Sequence, residues 1–297
     1  MLVSICIVNL NARDYLHDCL QSIISGTHRV SYEIIVVDNH SQDGSVELLR
    51  PTFPDVVIIE NETNEGFSKP MNKAMKITQG EYILLLNPDT LVQEGAIDYL
   101  VDFLGSHPDV GIVGPKVLNP DGSLQKPCRR SEARPWDVFT YFSGLAKRFP
   151  SNPRFSGYYL GYLDENQTCE VDGVSGSCML VRKEVVEQIG YLDERFFAYQ
   201  EDADFCLRAR QAGWKIFYFP EAKVTHFGGK GGSKVEPTRS IVAWHFSYYQ
   251  YYKKHFASDY FFLFNWFYYS LMGLKLGFSL IKHFIRKEVF AGSRKPG

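Results

Sequence analysis

Two acid-bearing segments, more than a hundred residues apart, carry most of the chemistry legible in this chain. Leu86-Asn87-Pro88-Asp89-Thr90 closes the apolar run Tyr82–Leu86, and Glu201-Asp202-Ala203-Asp204 opens a helix-like stretch that runs to Ala212. An acid at the end of a strand in an open α/β sheet faces the ligand crevice, where it suits a metal or a phosphate. A second acid in the same crevice suits a general base. Together they point to metal-assisted group transfer from a nucleotide-activated donor. Each segment also has a plainer reading. Asn-Pro-Asp-Thr is turn chemistry, and acids at a helix start complement its positive end.

The elements that must position these acids follow from periodicity. Apolar, β-rich runs occur at residues 2–8, 33–37, 56–59, 82–86 and 110–113, with helical patterns near 13–25, 43–50, 67–78 and 94–105 between them. Short continuous apolar strands separated by helices predict an α/β fold with a mostly parallel central sheet covered on both faces. Residues 119–170 lose the rhythm and are rich in Pro, Gly, Arg and aromatics, a long loop-like segment whose aromatic content argues against disorder. Strand character returns at 171–181, a short helix is expected near 183–189, the acidic helix at 201–212, and strands at 215–219 and 224–226.

A nucleotide fits the ends of the first strands. Val8, Asn9 and Asn11 end the first, Asp38 ends the second, and Asn64, Gly66 and Asn72 border the third βα unit. A carboxylate at Asp38 can accept the ring N–H of uracil or thymine; it can equally cap the following helix. No Gly-x-Gly-x-x-Gly follows the first strand and no Gly-x-x-x-x-Gly-Lys-Ser/Thr is present. The glycine-rich stretch Gly228-Gly229-Lys230-Gly231-Gly232-Ser233 reads instead as a mobile loop near phosphates.

A net charge of −2 over 297 residues gives no basic field for nucleic acid. Six scattered cysteines lack metal-ligand spacing and fit a reducing compartment. The N-terminal run has no basic leader and no cleavage site, so it is expected to be a first strand rather than a signal peptide. The C-terminal 60 residues differ in kind. Pro237 suits a helix start, and residues 260–281 carry a single charge, Lys275. That length can span a bilayer. Lys253 and Lys254 before it, with Lys282, Arg286 and Lys287 after it, fit an interfacial helix better than a single crossing. A dimer interface or a helix packed on the core is the plainer alternative.

The matching strings Val36–Gly44, Asn64–Phe67, Leu86–Thr90, Gly176–Arg182, Asp193–Phe197 with Glu201-Asp202, and His226–Gly229 occur in this order over residues 3 to about 233. In that order the chain resembles the inverting glycosyltransferases of family 2, and among them the bacterial rhamnosyltransferases of cell-surface polysaccharide synthesis. The resemblance implies the GT-A fold. It implies a catalytic domain over 1–233, with a nucleotide-binding half (1–115) and an acceptor half (116–233). Residues 234–297 then form a helical, membrane-associating or oligomerising appendage.

Residue by residue, Asp38 resembles the family's base-contacting acid, within a nucleotide set of Val8, Asn9, Asn11, Asp38, Asn64, Gly66, Asn72, Asn87, Pro88 and Asp89. Asp89 resembles the last acid of its Asp-x-Asp metal motif, with His226 as a further ligand for Mg²⁺ or Mn²⁺. Asn87 stands where many members carry the first Asp, and an amide oxygen binds a hard cation more weakly than a carboxylate. Asp202 matches the catalytic base, with Glu201 beside it. Arg129 and Arg130, with Gly176 and Ser177, are placed as contacts to the acceptor or its diphosphate; the arginines read equally as a solvated surface pair. The aromatic segment around Trp136–Tyr162 stacks on sugars or packs against the C-terminal helices.

The activity implied is transfer of a sugar, L-rhamnose from dTDP-rhamnose first among them, onto a saccharide or polyprenyl-diphosphate-linked saccharide in cell-wall or lipopolysaccharide synthesis. It would take place in the cytoplasm at the inner face of the plasma membrane, with contact through residues 237–290 and room for a homo-oligomer. A UDP-sugar donor (galactofuranose, N-acetylhexosamine or glucose) and a non-catalytic nucleotide-sugar-binding subunit are the alternatives. A nucleotidyltransferase is a further class, disfavoured because Asn9–Arg13 lacks a glycine- and arginine-rich loop.

Overall fold

The computed structural model describes residues 2–231 and 236–286. Its frame is a sheet of nine strands. Strands β1 (Leu2–Asn9), β2 (Ser31–Asp38), β3 (Val57–Glu60) and β4 (Tyr82–Leu86) lie side by side in the order β3-β2-β1-β4, all parallel. Helices α1 (Arg13–Gly26), α2 (Ser45–Thr52) and α3 (Ser68–Lys76) connect them. Val3, Ile5, Ile7, Ile35, Val37, Leu84 and Leu86 are all buried. Strands covered on both faces have no solvent side to alternate with, which is why these segments read as nearly continuous apolar runs, with Ser4 buried among them.

Beyond β4 the order continues β10-β6-β11-β5, where β6 is Val110–Leu118, preceded by helix α4 (Ala96–Ser106). Strand β10 (Cys178–Arg182) runs antiparallel to both β4 and β6. That reversal brings the start of β10 to the crevice end of β4, with Cys178 opposite Leu86. Strand β11 spans Lys215–His226 in one piece where two strands were expected. Pro220 cannot donate to a ladder, and the pairing with β6 shifts register between Phe219 and Lys223 instead of ending. The short strand β5 (Thr90–Val92), absent from the sequence reading, pairs antiparallel with the end of β11, setting Thr90 opposite His226.

Residues 119–170 hold short elements: strands β7 (Arg129–Arg130) and β8 (Cys169–Glu170), and helices α5 (Pro135–Phe142), α6 (Leu145–Arg148) and α7 (Pro153–Ser156). Strand β8 pairs with β11, and β7 with the two-residue β9 (Gly173–Val174). Helices α8 (Lys183–Ile189) and α9 (Glu201–Gln211) follow, then α10 (Pro237–His255) and α11 (Phe262–Arg286). A second apolar core joins the loop segment, α9 and α10 through Tyr158, Phe196, Leu207, Tyr248, Tyr251 and Phe256. The Tyr158 and Tyr248 hydroxyls are 2.7 Å apart, and Phe142 meets Trp244 edge-on at 5.7 Å between centroids. So much of the aromatic segment packs against the C-terminal helices, as the plainer of its two readings had it, while Trp136 and Phe139 stay exposed. Among the described residues no helix is long and apolar enough to cross a membrane.

Candidate functional site

Asp89 lies just past the end of β4, and β5 folds back from it onto β11, so that His226 reaches it. The His226 Nε2 atom is 3.1 Å from Asp89 Oδ1 and 3.1 Å from Asn87 Nδ2. At the other edge of the ring, Nδ1 lies 2.7 Å from Gln125 Oε1. With Nδ1–H donating to Gln125, Nε2 presents its lone pair to the crevice, the arrangement in which a histidine can hold a metal. When the ring is instead protonated, Nε2 donates to Asp89; burial pushes the Asp89 carboxyl up, but that hydrogen bond and charge, with backbone amides, outweigh it and hold it below the usual range. The loop after β11 closes over this pair. Lys230 N donates to Asp89 Oδ2 at 3.2 Å, and Phe227 packs on Tyr15 at 5.2 Å. Residues 232–233 of the expected phosphate loop lie outside the described residues. Among the described residues no three His, Cys, Asp or Glu side chains form a metal cluster. Asp89 and His226 supply one carboxylate and one imidazole nitrogen that could together contribute two ligands to a divalent cation.

The ends of β1 and β2 are tied into one polar network. Asn9 Nδ2 donates to Asp38 Oδ2 at 2.8 Å, and Ser41 N donates to Asp38 Oδ1 at 2.8 Å. Asn9 Oδ1 is buried without a partner. Asn11 takes a left-handed backbone (φ 49°), and its amide donates to Ser41 Oγ at 2.9 Å. Val8 is buried inside β1. Asn39, which the sequence reading passed over, is the hub. Its side-chain Nδ2 donates to Asn64 Oδ1 and Gly66 O, both at 2.8 Å, and its Oδ1 accepts from Asn61 and Glu65. Asn72 lies apart from this network. It is buried, and its amide is spent on Leu192 O at 2.9 Å, Glu194 Oε1 at 3.0 Å and Leu192 N at 3.0 Å.

The acid helix is delivered by a strained entry. Tyr199 and Gln200 both sit at positive φ, 69° and 64°, a conformation that costs a non-glycine residue of order 1 kcal/mol or more. Just before them Phe197 O accepts from Phe67 N at 2.6 Å, and a Cβ on Gly66 would stand 2.3 Å from that oxygen. Only glycine fits there, and it joins the nucleotide side to the acid loop. Glu201 and Asp202 are buried, so neither is a mere surface complement to the helix end. Asp202 Oδ2 accepts from Gly176 N at 2.9 Å, with Gly176 Cα so close that a Cβ would lie 3.3 Å from Asp202 Cβ. Next to it, Ser177 O accepts from Asn87 N at 3.0 Å. Two successive residues before β10 thus touch both acid segments and set them in one crevice. Burial, then the charge of Asp202, pushes the Glu201 carboxyl up, and Glu201 Oε2 has no partner.

The two arginines require a correction. Neither is a solvated surface pair, and neither faces out to clamp a diphosphate. Arg130 Nη2 is 2.5 Å from Asp202 Oδ1, with both side chains largely buried, and donates to Val174 O at 3.3 Å. Burial opposes the Arg130 charge, but the Asp202 carboxylate outweighs it and holds the guanidinium above its ordinary value. Arg129 donates to the carbonyls of Asp164 and Leu163, both at 2.7 Å, and lies 5.0 Å from the Tyr218 ring centroid. Two apolar-poor neighbours in a turn-rich stretch look exposed in sequence; their partners lie far along the chain.

The family model of "Glycosyl transferase family 2" matches residues 4–190. The N-acetylglucosaminyl-diphospho-decaprenol L-rhamnosyltransferase of Mycobacterium tuberculosis is 30% identical over 246 residues, covering 79% of this chain and 78% of the relative. Among solved structures, S. aureus TarS 1–349 in complex with UDP-GlcNAc superposes with a TM-score of 0.55 at 17% identity, over 83% of this chain and 65% of that one. The mannosyltransferase PcManGT from Pyrobaculum calidifontis, in complex with GDP-Man and Mn²⁺, gives a TM-score of 0.56 at 18% identity, over 85% and 63%.

Proposed function

Because the chain belongs to glycosyl transferase family 2 and has the GT-A fold, we propose that it inverts the anomeric centre of L-rhamnose in moving it from dTDP-rhamnose to an acceptor hydroxyl. The acceptor is a saccharide carried on a polyprenyl diphosphate, in the synthesis of a surface polysaccharide. One observation supports the transfer chemistry above the others: Gly176 and Ser177 bind Asp202 and the Asn87–Asp89 turn from adjacent residues. The sugar and the acceptor are supported by the mycobacterial relative, whose name specifies a rhamnosyltransferase acting on a diphospho-decaprenol.

Asp202 serves as the base. Its Oδ1 is held by Arg130 and by Ala203 N at 2.7 Å, and Oδ2 accepts from Gly176 N. Oδ2 keeps a lone pair for the proton of the attacking hydroxyl. The acceptor oxygen bonds to the anomeric carbon from the face opposite the departing diphosphate, through an oxocarbenium-like state. A β-L-rhamnosyl donor gives an α-L-rhamnoside. Asn9 and Asp38 take the base, and Asp89 and His226 would hold Mg²⁺ or Mn²⁺, which when bound neutralises charge on the diphosphate.

Residues 237–286, on this reading, also meet a membrane surface. Phe262, Trp266, Leu274, Phe278, Ile281 and Ile285 are exposed along α11. The one charge in residues 260–281, Lys275, turns inward between Phe142 and Trp244, 3.7 and 3.9 Å from their ring centroids. That leaves an apolar outer face, as an interfacial helix requires. Residues 287–290 of the expected contact lie outside the described residues.

The test is calorimetry and turnover with wild type, Asp89→Ala and Asp202→Asn over a panel of nucleotide sugars with Mn²⁺. The expected result is metal-dependent binding of dTDP-rhamnose, weakened by Asp89→Ala and kept by Asp202→Asn, whose turnover is lost. Preference for a UDP-sugar would remove the rhamnose assignment. Turnover by Asp202→Asn near the wild-type rate would remove the base.

A further inference from the structure

A cavity of about 460 Å³ opens beyond the ends of β1, β2 and β3. Asn11, His40, Gln42 and Asn64 line it from the sheet side, and Glu236 and Arg239 line it from the start of α10. We propose that Arg239 is a specificity-determining contact to the nucleoside of the donor, so that the C-terminal helix completes the nucleotide site. The proposal rests on the nucleotide-sugar reading above and adds a residue outside the matched family segment, residues 4–190.

Sheet order decides which end of a donor this cavity takes. The order is β3-β2-β1-β4, and Asp89 follows β4. A diphosphate beside Asp89 leaves its nucleoside over β1, β2 and β3, where the cavity is. Arg239 is held there on three sides. Nη1 donates to Glu236 Oε2 at 2.9 Å, Nη2 donates to Asn64 O at 3.2 Å, and the guanidinium lies 4.2 Å from the Phe197 ring centroid. Asn64 Nδ2 also donates to Glu236, at 3.3 Å. A guanidinium has five N–H donors in a rigid fork. The bonds to Glu236 and Asn64 use two of them, and the side chain is 47% exposed toward the cavity and solvent. The remaining donors match the carbonyl oxygens of a pyrimidine base or the oxygens of its sugar. The polar lining of Asn11, His40, Gln42 and Asn64 suits the same chemistry. Because Phe197 opens the loop that leads into Glu201 and Asp202, Arg239 also stands between the nucleoside and the acid loop.

The experiment is calorimetry of the full chain with dTDP, UDP, thymidine and inorganic pyrophosphate, each with Mn²⁺, for wild type, Arg239→Ala and Arg239→Lys. Arg239→Ala is expected to weaken dTDP and thymidine by about tenfold or more, the loss of a hydrogen bond from a charged group, and to leave pyrophosphate within about twofold. Arg239→Lys, which keeps the charge and loses the fork, is expected to fall between. In turnover, the donor KM rises more than kcat falls. If dTDP binds Arg239→Ala as tightly as wild type, the contact does not exist, although the donor reading stands. A parallel loss of pyrophosphate also overturns the contact, since it shows a general charge or folding effect. If wild type itself binds no nucleoside diphosphate, both readings fail together.

Discussion

Replacing Arg130 with methionine is the sharpest test of how the acid site is held. The substitution keeps much of the volume and removes the charge facing Asp202. Side-chain exposure is 8% for Arg130 and 13% for Asp202, so water cannot restore the carboxylate's solvation. Removing one partner of a buried pair commonly costs about 3–5 kcal/mol, because the other charge stays buried and uncompensated. Two features set the expectation at the lower end of that range. Asp202 keeps its bonds from Gly176 N and Ala203 N, and only one further bond, from Arg130 to Val174 O, is lost. An expected loss of about 3 kcal/mol in urea unfolding corresponds to roughly 5 °C in the thermal midpoint of a chain this long.

Stability alone does not assign the loss to the ion pair, so the double variant Arg130→Met/Asp202→Asn decides the matter. Neutralising Asp202 removes the stranded charge, and the double variant is expected to regain most of the deficit, to within about 1 kcal/mol of Asp202→Asn alone. Arg129→Met supplies the control. It loses bonds to the Asp164 and Leu163 carbonyls and no carboxylate, so Asp202→Asn should leave its cost unchanged within about 0.5 kcal/mol. If Arg130→Met cost less than about 1 kcal/mol, or if Asp202→Asn failed to rescue it, the pair would not be what orients Asp202.

Glu201→Gln is expected to stabilise the protein at about pH 8 by on the order of 1 kcal/mol and to have little effect near pH 4. Burial and Asp202 raise the folded carboxyl above its unfolded value, so wild type is most favoured below the usual glutamate range and loses stability as pH rises from there; a constant offset at every pH would refute this. Gly66→Ala should cost more than about 2 kcal/mol in thermal unfolding, since φ is 87° and the new Cβ would meet Phe197 O at 2.3 Å; a change under about 0.5 kcal/mol would show that the loop gives way. Wild type should cosediment with vesicles containing anionic lipid, and Trp266→Glu/Phe278→Glu should not. If wild type instead stayed in the supernatant as a dimer that the double variant dissociates, the apolar face of α11 would be a self-interface.

The parts of this architecture that were legible in sequence are those whose cause is local. Val3 to Val8, apart from the buried Ser4, and Tyr82 to Leu86 are apolar because they are buried on both faces, and each run is followed by a polar residue where the crevice begins. Asp89 and His226 announced themselves by residue type. The arginines did not. A charge in a Pro- and Gly-rich stretch reads as solvated, and the partner that buries Arg130 lies 72 residues downstream. Gln125 carries no sequence signal. Its importance comes from tertiary pairing: Gln125 N donates to Val117 O, β6 pairs Val117 with Val224 of β11, and Gln125 thereby lies 2.7 Å from His226.

Asp204 shows the same limit from inside a motif that was noticed. Residues two apart on a helix point about 200° away from each other. Asp202 therefore faces Gly176, and Asp204 faces the opposite way, into the C-terminal helix. Wholly buried there, Asp204 meets His255 Nε2 at 2.7 Å, Arg208 Nε at 2.9 Å and Lys254 Nζ. Burial would raise its carboxyl, but the hydrogen bonds from His255 and Lys254 and the charges of Arg208 and Lys254 outweigh that and hold it below the usual range. Ser247 Oγ adds a bond to Ala198 O at 2.8 Å, and Arg239 packs on Phe197. Helix α9 is thus held on one face by the sheet and on the other by α10, and the strained residues Tyr199 and Gln200 lie between the two grips. An acid helix clamped this way keeps its geometry only while both faces are satisfied. The helix that starts at Pro237 thus helps to position the acid helix, although it carries none of the acids.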